Sequence, residues 1–131
     1  MANKVNIVFI DDEEDILDLV DIYLSRITNL KMHYFTTMDQ AEQLILNESD
    51  QLSLVVCDIG FCDDEELCSD GIDFLRRIRS HGSNVPWAFC SGYSNKKEEL
   101  LSDSDLNVTS FLEKPFSKKE LLEFIYRHVS K

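Results

Sequence analysis

The chain is expected to fold as an α/β domain with a doubly wound parallel sheet, and two observations carry that expectation. Five apolar, strand-like runs alternate with five segments of helical period. Four of the runs stop abruptly at a polar site: Val5–Ile10 at Asp11-Asp12, Leu54–Cys57 at Asp58, Trp87–Cys90 at Ser91, and Val108–Glu113 at Lys114. Right-handed crossovers between parallel strands bring all their carboxyl ends to one edge. Ligands of open α/β sheets bind beyond that edge, so one crevice is expected to gather three carboxylates, a hydroxyl and an ammonium.

Each element has a local reason. After Asp12, the residues Ile16, Leu19, Val20, Tyr23, Leu24 and Ile27 fall on one helical stripe. Lys31 to Thr36 reads as a short second strand. Thr37-Met38-Asp39-Gln40 has the form of a capping box, opening a helix that buries Ala41, Leu44 and Ile45. The third strand closes at Cys57, and a polar loop runs to about Asp70. Ile72, Leu75 and Ile78 mark a third helix, ended by Gly82. Pro86 begins the fourth strand, where a missing N–H is tolerated. A polar fourth helix is expected over 95–102. Ser117-Lys118-Lys119-Glu120 is a second capping box, starting a fifth helix with Leu121, Phe124, Ile125 and His128 or Val129 inward.

The 131 residues suit one domain, 1–131, with no repeat or linker. The net charge of -12 argues against nonspecific nucleic-acid binding, which needs clustered Lys and Arg. No stretch approaches a membrane span, and no secretory signal is visible, so a cytoplasmic location is expected. Cys57 and Cys90 end apolar runs and read as small buried hydrophobes, whereas Cys62 and Cys68 lie in the polar loop. Reduced thiols are the default in that compartment.

Taken alone, Asp12 reads as a cap of the first helix, Asp11 and Ser91 as turn residues, and Lys114 as a surface lysine before a proline. Asp58 changes the balance, because a carboxylate after an apolar strand begins either a turn or a site. Two unit charges ~4 Å apart repel by about 4 kcal/mol at an effective dielectric of 20. A divalent ion such as Mg²⁺ offsets that repulsion and favours carboxylate oxygen, water and phosphate as ligands. No glycine-rich turn follows any strand, which disfavours a nucleotide or flavin cradle.

With these residues in this order, the chain resembles the receiver domain of two-component response regulators, over essentially Val5 to Val129. The resemblance implies a flavodoxin-like receiver fold with five strands in the order 2-1-3-4-5 and five helices. It implies that Asp11 and Asp12 hold Mg²⁺ (or Mn²⁺) together with Asp58 and the backbone carbonyl of Gly60. Asp58 would accept the phosphoryl group, Ser91 and Lys114 would contact it, and Phe111 would be the switch aromatic. The Lys114–Pro115 bond is often cis in the family. The implied partner is a histidine kinase or histidine phosphotransfer protein, with an unidentified effector downstream, and no nucleic acid or membrane. The domain would assist its own phosphotransfer and dephosphorylation without being an enzyme in the ordinary sense.

The chain departs from the family after Asp58, where the usual proline is missing and the loop to Gly71 is lengthened. The insertion carries Asp63, Asp64, Glu65 and Glu66. It reads as a solvated extension or as a gate acting by charge on access to the site. Tyr93, two residues after Ser91, is a candidate shield for the phosphoryl group. Three alternatives accompany the receiver reading. A flavodoxin would repel its flavin phosphate with Asp11-Asp12-Glu13-Glu14. An acyl-phosphate phosphatase would need an aspartate where Gly60 stands. A receiver fold acting only by docking is the third.

Overall fold

A computed structural model describes residues 5–59, 70–91 and 101–129. The strands are β1 (Val5–Ile10), β2 (Leu30–Phe35), β3 (Leu52–Asp58), β4 (Trp87–Ser91) and β5 (Val108–Glu113). The helices are α1 (Glu14–Leu24), α2 (Met38–Glu48), α3 (Asp70–Ser80) and α4 (Lys118–Val129), with a 3₁₀ turn at Ser49–Gln51. Helix α4 is the fifth helix expected from the sequence. Of the expected fourth helix, over 95–102, only 101 and 102 are described, and both are helical. All strand pairs are parallel, and the sheet order is β2-β1-β3-β4-β5.

The apolar runs form strands because helices cover both faces of the sheet. Val8, Ile10, Val55, Cys57, Trp87 and Phe89 pack with Ala41, Ile45, Phe74, Leu75 and Ile78 of α2 and α3. Ile7, Phe9, Leu54, Val56, Ala88 and Cys90 pack with Leu17, Val20, Leu24, Leu121, Phe124 and Ile125 of α1 and α4. Full burial of each such aliphatic or aromatic side chain is worth about 1.5–3 kcal/mol. Leu17 joins the buried stripe of α1 although it stands outside the expected periodicity, while Ile16, Leu19, Tyr23 and Ile27 are only partly buried.

Both expected helix starts are found. Thr37 Oγ1 accepts the Gln40 N–H at 3.3 Å. The Ser117 box closes in both directions, Glu120 N–H to Ser117 Oγ at 3.1 Å and Ser117 N–H to Glu120 Oε1 at 3.0 Å. Gly82 ends α3 at φ +89°, a conformation that favours glycine. Asp12 does not cap α1: Glu13 occupies that place without a side-chain bond, and its N–H is taken by Asp11 Oδ1 at 2.9 Å.

The amino edge of the sheet is held by Arg79 at the end of α3. Its guanidinium donates to the carbonyls of Leu106 (2.8 Å), Val85 (2.8 Å), Ser83 (3.1 Å) and Asn107 (3.3 Å). These carbonyls belong to the segments leading into β4 and β5, so one side chain fastens the start of both strands. At the carboxyl edge, the Gly71 N–H donates to the Ile59 carbonyl at 2.5 Å. A Cβ on Gly71 would collide with the Asp58 carbonyl oxygen and the Ile59 backbone. The chain leaving β3 therefore returns to the same point thirteen residues after Asp58, and glycine is required there.

Candidate functional site

Parallel register sets the carboxyl ends of the central strands side by side. Ile10 pairs with Cys57, Asp58 with Cys90, and Ser91 with Glu113. The Asp11 N–H donates to the Phe35 carbonyl at 3.0 Å, and the Lys114 N–H donates to the Ser91 carbonyl at 2.9 Å. Asp58 and Ser91 are therefore the last residues of β3 and β4, rather than the loop residues that the sequence suggests. The Lys114–Pro115 peptide is cis.

Three of the expected side chains, those of Asp11, Asp58 and Lys114, come together. Lys114 Nζ lies 2.6 Å from Asp11 Oδ2 and 3.7 Å from Asp58 Oδ2. Asp11, Asp58 and Ser91 are all buried. Burial pulls the Lys114 pKa down, but the Asp11 contact and the Asp58 charge outweigh it, and the ammonium is held above its usual range. The Lys114 ammonium is thus the counter-charge of the buried Asp11 Oδ2, and an ion pair taken out of water in this way is kept only when both partners are present.

Asp11 also bears on the expected metal. One carboxylate oxygen from each of Asp11, Asp12 and Glu13 lies within 4.8 Å of the other two. An all-oxygen donor set of this kind fits a hard divalent ion. Glu13 is a candidate in this group not expected from the sequence, whereas Asp58, expected from the resemblance, is not among the three. The signal for Glu13 is the unbroken acidic run, which in the sequence alone argues only against a flavin phosphate.

Phe111 is placed differently from the other site residues. It is half-buried, stands beside Phe89 across the β4–β5 pair, and packs on the α2–α3 side of the sheet. Gly60, Asp63, Asp64, Glu65, Glu66 and Tyr93 lie outside the described residues, as do Cys62 and Cys68. Cys57 and Cys90 are buried free thiols whose pKa values burial drives upward, and they belong to cores on opposite faces of the sheet. Neither is set up for chemistry.

The acid crevice opens into a groove of about 460 Å³ between the first turns of α2 and α3. Ile10, Met38 and Phe74 supply its apolar wall, and Asp11, Asp12, Asp39, Asp58, Asp73 and Arg77 its charges. This groove is not legible in the sequence, because Asp39 and Asp73 resemble ordinary acids near helix starts.

A parallel sheet of this order, with carboxylates and an ammonium gathered at its carboxyl edge, defines a flavodoxin-like α/β domain with a charged crevice at the strand ends. The chain belongs to the response regulator receiver domain family, whose model matches residues 7–126. It is 28% identical over 123 residues to the transcriptional regulatory protein GltR of Pseudomonas aeruginosa, covering 92% of this chain and 47% of GltR. The chain thus spans about half the length of that curated relative. The receiver domain of NtrX from Brucella abortus superposes with a TM-score of 0.73 at 27% identity, covering 95% of this chain and 98% of that one. The signal receiver domain of an HD domain-containing protein from Pseudomonas fluorescens gives a TM-score of 0.77 at 21% identity, covering 99% and 90%, and speaks for the fold alone. Among the described residues no helix is long and apolar enough to cross a membrane.

Proposed function

We propose that this domain accepts a phosphoryl group on Asp58 from a phosphohistidine of a histidine kinase or histidine phosphotransfer protein. The observation that supports this most is the placement of Lys114 Nζ between Asp11 and Asp58, at 2.6 and 3.7 Å, on the carboxyl edge of the sheet. Phosphoryl transfer asks a protein mainly for positioning and charge stabilisation, and this crevice supplies both.

A carboxylate oxygen of Asp58 attacks phosphorus as the phosphorus–nitrogen bond to histidine breaks. The imidazole leaves with the electron pair and takes a proton from solvent. The product is a mixed carboxylic–phosphoric anhydride, a carboxylate used as nucleophile. Lys114 offsets the negative charge of the phosphoryl oxygens, and Ser91 donates its hydroxyl to one of them. Asp11 holds Lys114 in place. Asp11, Asp12 and Asp58, with the Gly60 carbonyl that the family resemblance adds, would hold Mg²⁺ or Mn²⁺, which would offset phosphoryl charge.

Signalling follows from the same groups. Ser91 drawn to the phosphoryl group leaves room for Phe111 to turn inward. That biases the surface made by the fourth helix expected over 95–102, by β5 and by α4, a two-state shift of the kind phosphorylation produces. The domain then acts through an effector protein in the cytoplasm, and its only catalysis is on its own Asp58.

Incubation with Mg²⁺ and a small acyl phosphate, followed by intact mass, tests the reading. A gain of one phosphoryl group that needs Mg²⁺ and is absent in Asp58→Asn is expected. A wild-type protein that takes no label from acyl phosphate or phosphoramidate would leave the docking-only role.

A further inference from the structure

We propose that Gly71 is a positioning residue for Asp58: its bare main chain, at the start of α3, fixes the strand end that carries the acceptor carboxylate. The inference rests on the phospho-acceptor reading for the reaction, but the contact itself is argued from geometry alone.

Helix α3 and the end of β3 meet main chain to main chain. The Gly71 N–H, in the first turn of α3, donates to the Ile59 carbonyl at 2.5 Å. A Cβ on Gly71 would stand 2.8 Å from both the Cα and the carbonyl oxygen of Ile59, and closer still to the Asp58 carbonyl oxygen. Ordinary contacts of a Cβ begin at 3.4 Å. Any side chain at position 71 therefore forces the two segments apart by several tenths of an ångström or more.

The helix is the stiffer of the two. Phe74, Leu75 and Ile78 of α3 are buried in the core beneath the sheet, where close packing resists displacement. Strand β3 is weakest at its end, since its pairing with β1 stops at Cys57 and its pairing with β4 stops at Asp58. A push from position 71 falls on the Asp58–Ile59 peptide. The Asp58 carboxylate, 3.7 Å from Lys114 Nζ, moves with that peptide. Misplacing a reacting group by about 1 Å costs on the order of 100-fold in rate.

The glycine beyond the other end of α3 supplies the contrast. Gly82 has φ +89°, and a Cβ there would meet nothing within 4 Å. Its need is backbone conformation alone. Gly71 lies within the helix, a conformation open to any residue, so its need is closeness to the acceptor strand.

The test compares Gly71→Ala with Gly82→Ala in the full chain. One readout is the rate constant of labelling by acetyl phosphate at saturating Mg²⁺. The other is the increment that Mg²⁺ adds to the urea midpoint. That increment follows Mg²⁺ affinity, so a merely structural role would leave it unchanged. Gly71→Ala is expected to slow labelling at least tenfold and to lose about half of the Mg²⁺ increment or more. Gly82→Ala is expected to lower the urea midpoint, with labelling within about twofold of wild type and the full increment kept. Wild-type labelling and increment in Gly71→Ala, or equal losses in both variants, would overturn the proposal. If Gly71→Ala does not fold, amide resonances of the wild type decide. Mg²⁺ should then shift the Gly71 amide and leave that of Gly82 in place, and an unmoved Gly71 amide would overturn the positioning role. A wild type that takes no label, with the Mg²⁺ increment still lost in Gly71→Ala, would sink the phospho-acceptor reading and keep the positioning role. Normal wild-type labelling with Gly71→Ala unaffected would do the reverse.

Discussion

Lys114 at the carboxyl edge and Arg79 at the amino edge are both cations drawn into the fold, and their surroundings are opposite. Among the described residues Arg79 meets only neutral partners, four backbone carbonyls. Burial without a carboxylate partner lowers its pKa. Lys114 meets two carboxylates, and its pKa is raised although burial opposes that. The Arg79 end is an arrangement in which donors and acceptors are matched. The Lys114 end sets one ammonium against the carboxylates of Asp11 and Asp58. One end of the sheet is thus closed by matched neutral bonds, and the other gathers acids in excess of the one ammonium that faces them.

The sharpest way to break this contrast is to remove Lys114. Lys114→Met is expected to slow acyl-phosphate labelling by roughly 100-fold, the scale set by loss of one preorganised charge-stabilising group. It also leaves Asp11 buried beside Asp58 without its counter-charge, so stability at neutral pH should fall by about 3 kcal/mol in urea melts. Saturating Mg²⁺ should return much of that loss, since a ligand at 100 times its Kd stabilises by ~2.7 kcal/mol. A variant that labels at the wild-type rate would remove Lys114 from the chemistry.

Arg79→Met should do the opposite. It orphans carbonyls at the starts of β4 and β5, so a stability loss of about 2–3 kcal/mol is expected. Labelling should reach the wild-type level at temperatures where the variant is folded. Mg²⁺ should stabilise this variant as much as it does the wild type.

Alkaline pH separates the ends more gently. Lys114 is raised, and so is Tyr34, whose hydroxyl is half-buried and donates to Asp21 at 3.2 Å. Both groups hold their protons more tightly in the folded chain. Their contribution is therefore intact below the unfolded values of about 10 and is lost as pH rises through the folded ones. Stability measured from pH 8 upward should start to fall from about pH 8.5–9, where the thiols of Cys57 and Cys90 ionise only in the unfolded chain, and should fall more steeply above about pH 10, where Lys114 and Tyr34 join them. Lys114→Met should flatten part of that decline, whereas Arg79→Met should leave it unchanged. The smallest effect is expected at Ser110, whose hydroxyl is 2.7 Å from His128 Nε2 between β5 and α4. Ser110→Ala should cost about 1 kcal/mol or less and leave labelling unaltered.

Much of this molecule is legible in the sequence. Apolar runs interrupted by Asp11, Asp58, Ser91 and Lys114 mark both the strands and the converging edge, since strands covered on both faces leave polar residues only at their ends. The Ser117 box is legible because its two bonds are local. Arg79 is not, because its partners lie in segments distant along the chain and are backbone atoms, which carry no residue signature. The groove between α2 and α3 is hidden for a related reason: Asp39 and Asp73 are ordinary acids on their own helices, and only the fold brings both to its lining. Gly71 reads as a displaced family glycine, and its close approach to the Asp58 backbone gives the physical need for it.

The central claim is that Asp58 is the group that takes the phosphoryl, and reductive trapping addresses it most directly. Protein labelled with a small acyl phosphate in Mg²⁺ is treated with borohydride, which reduces a carboxylic–phosphoric anhydride to an alcohol, and its peptides are then mapped by mass. Reduction at position 58 alone is expected. A modified residue anywhere else, or label that survives borohydride untouched, would contradict the account.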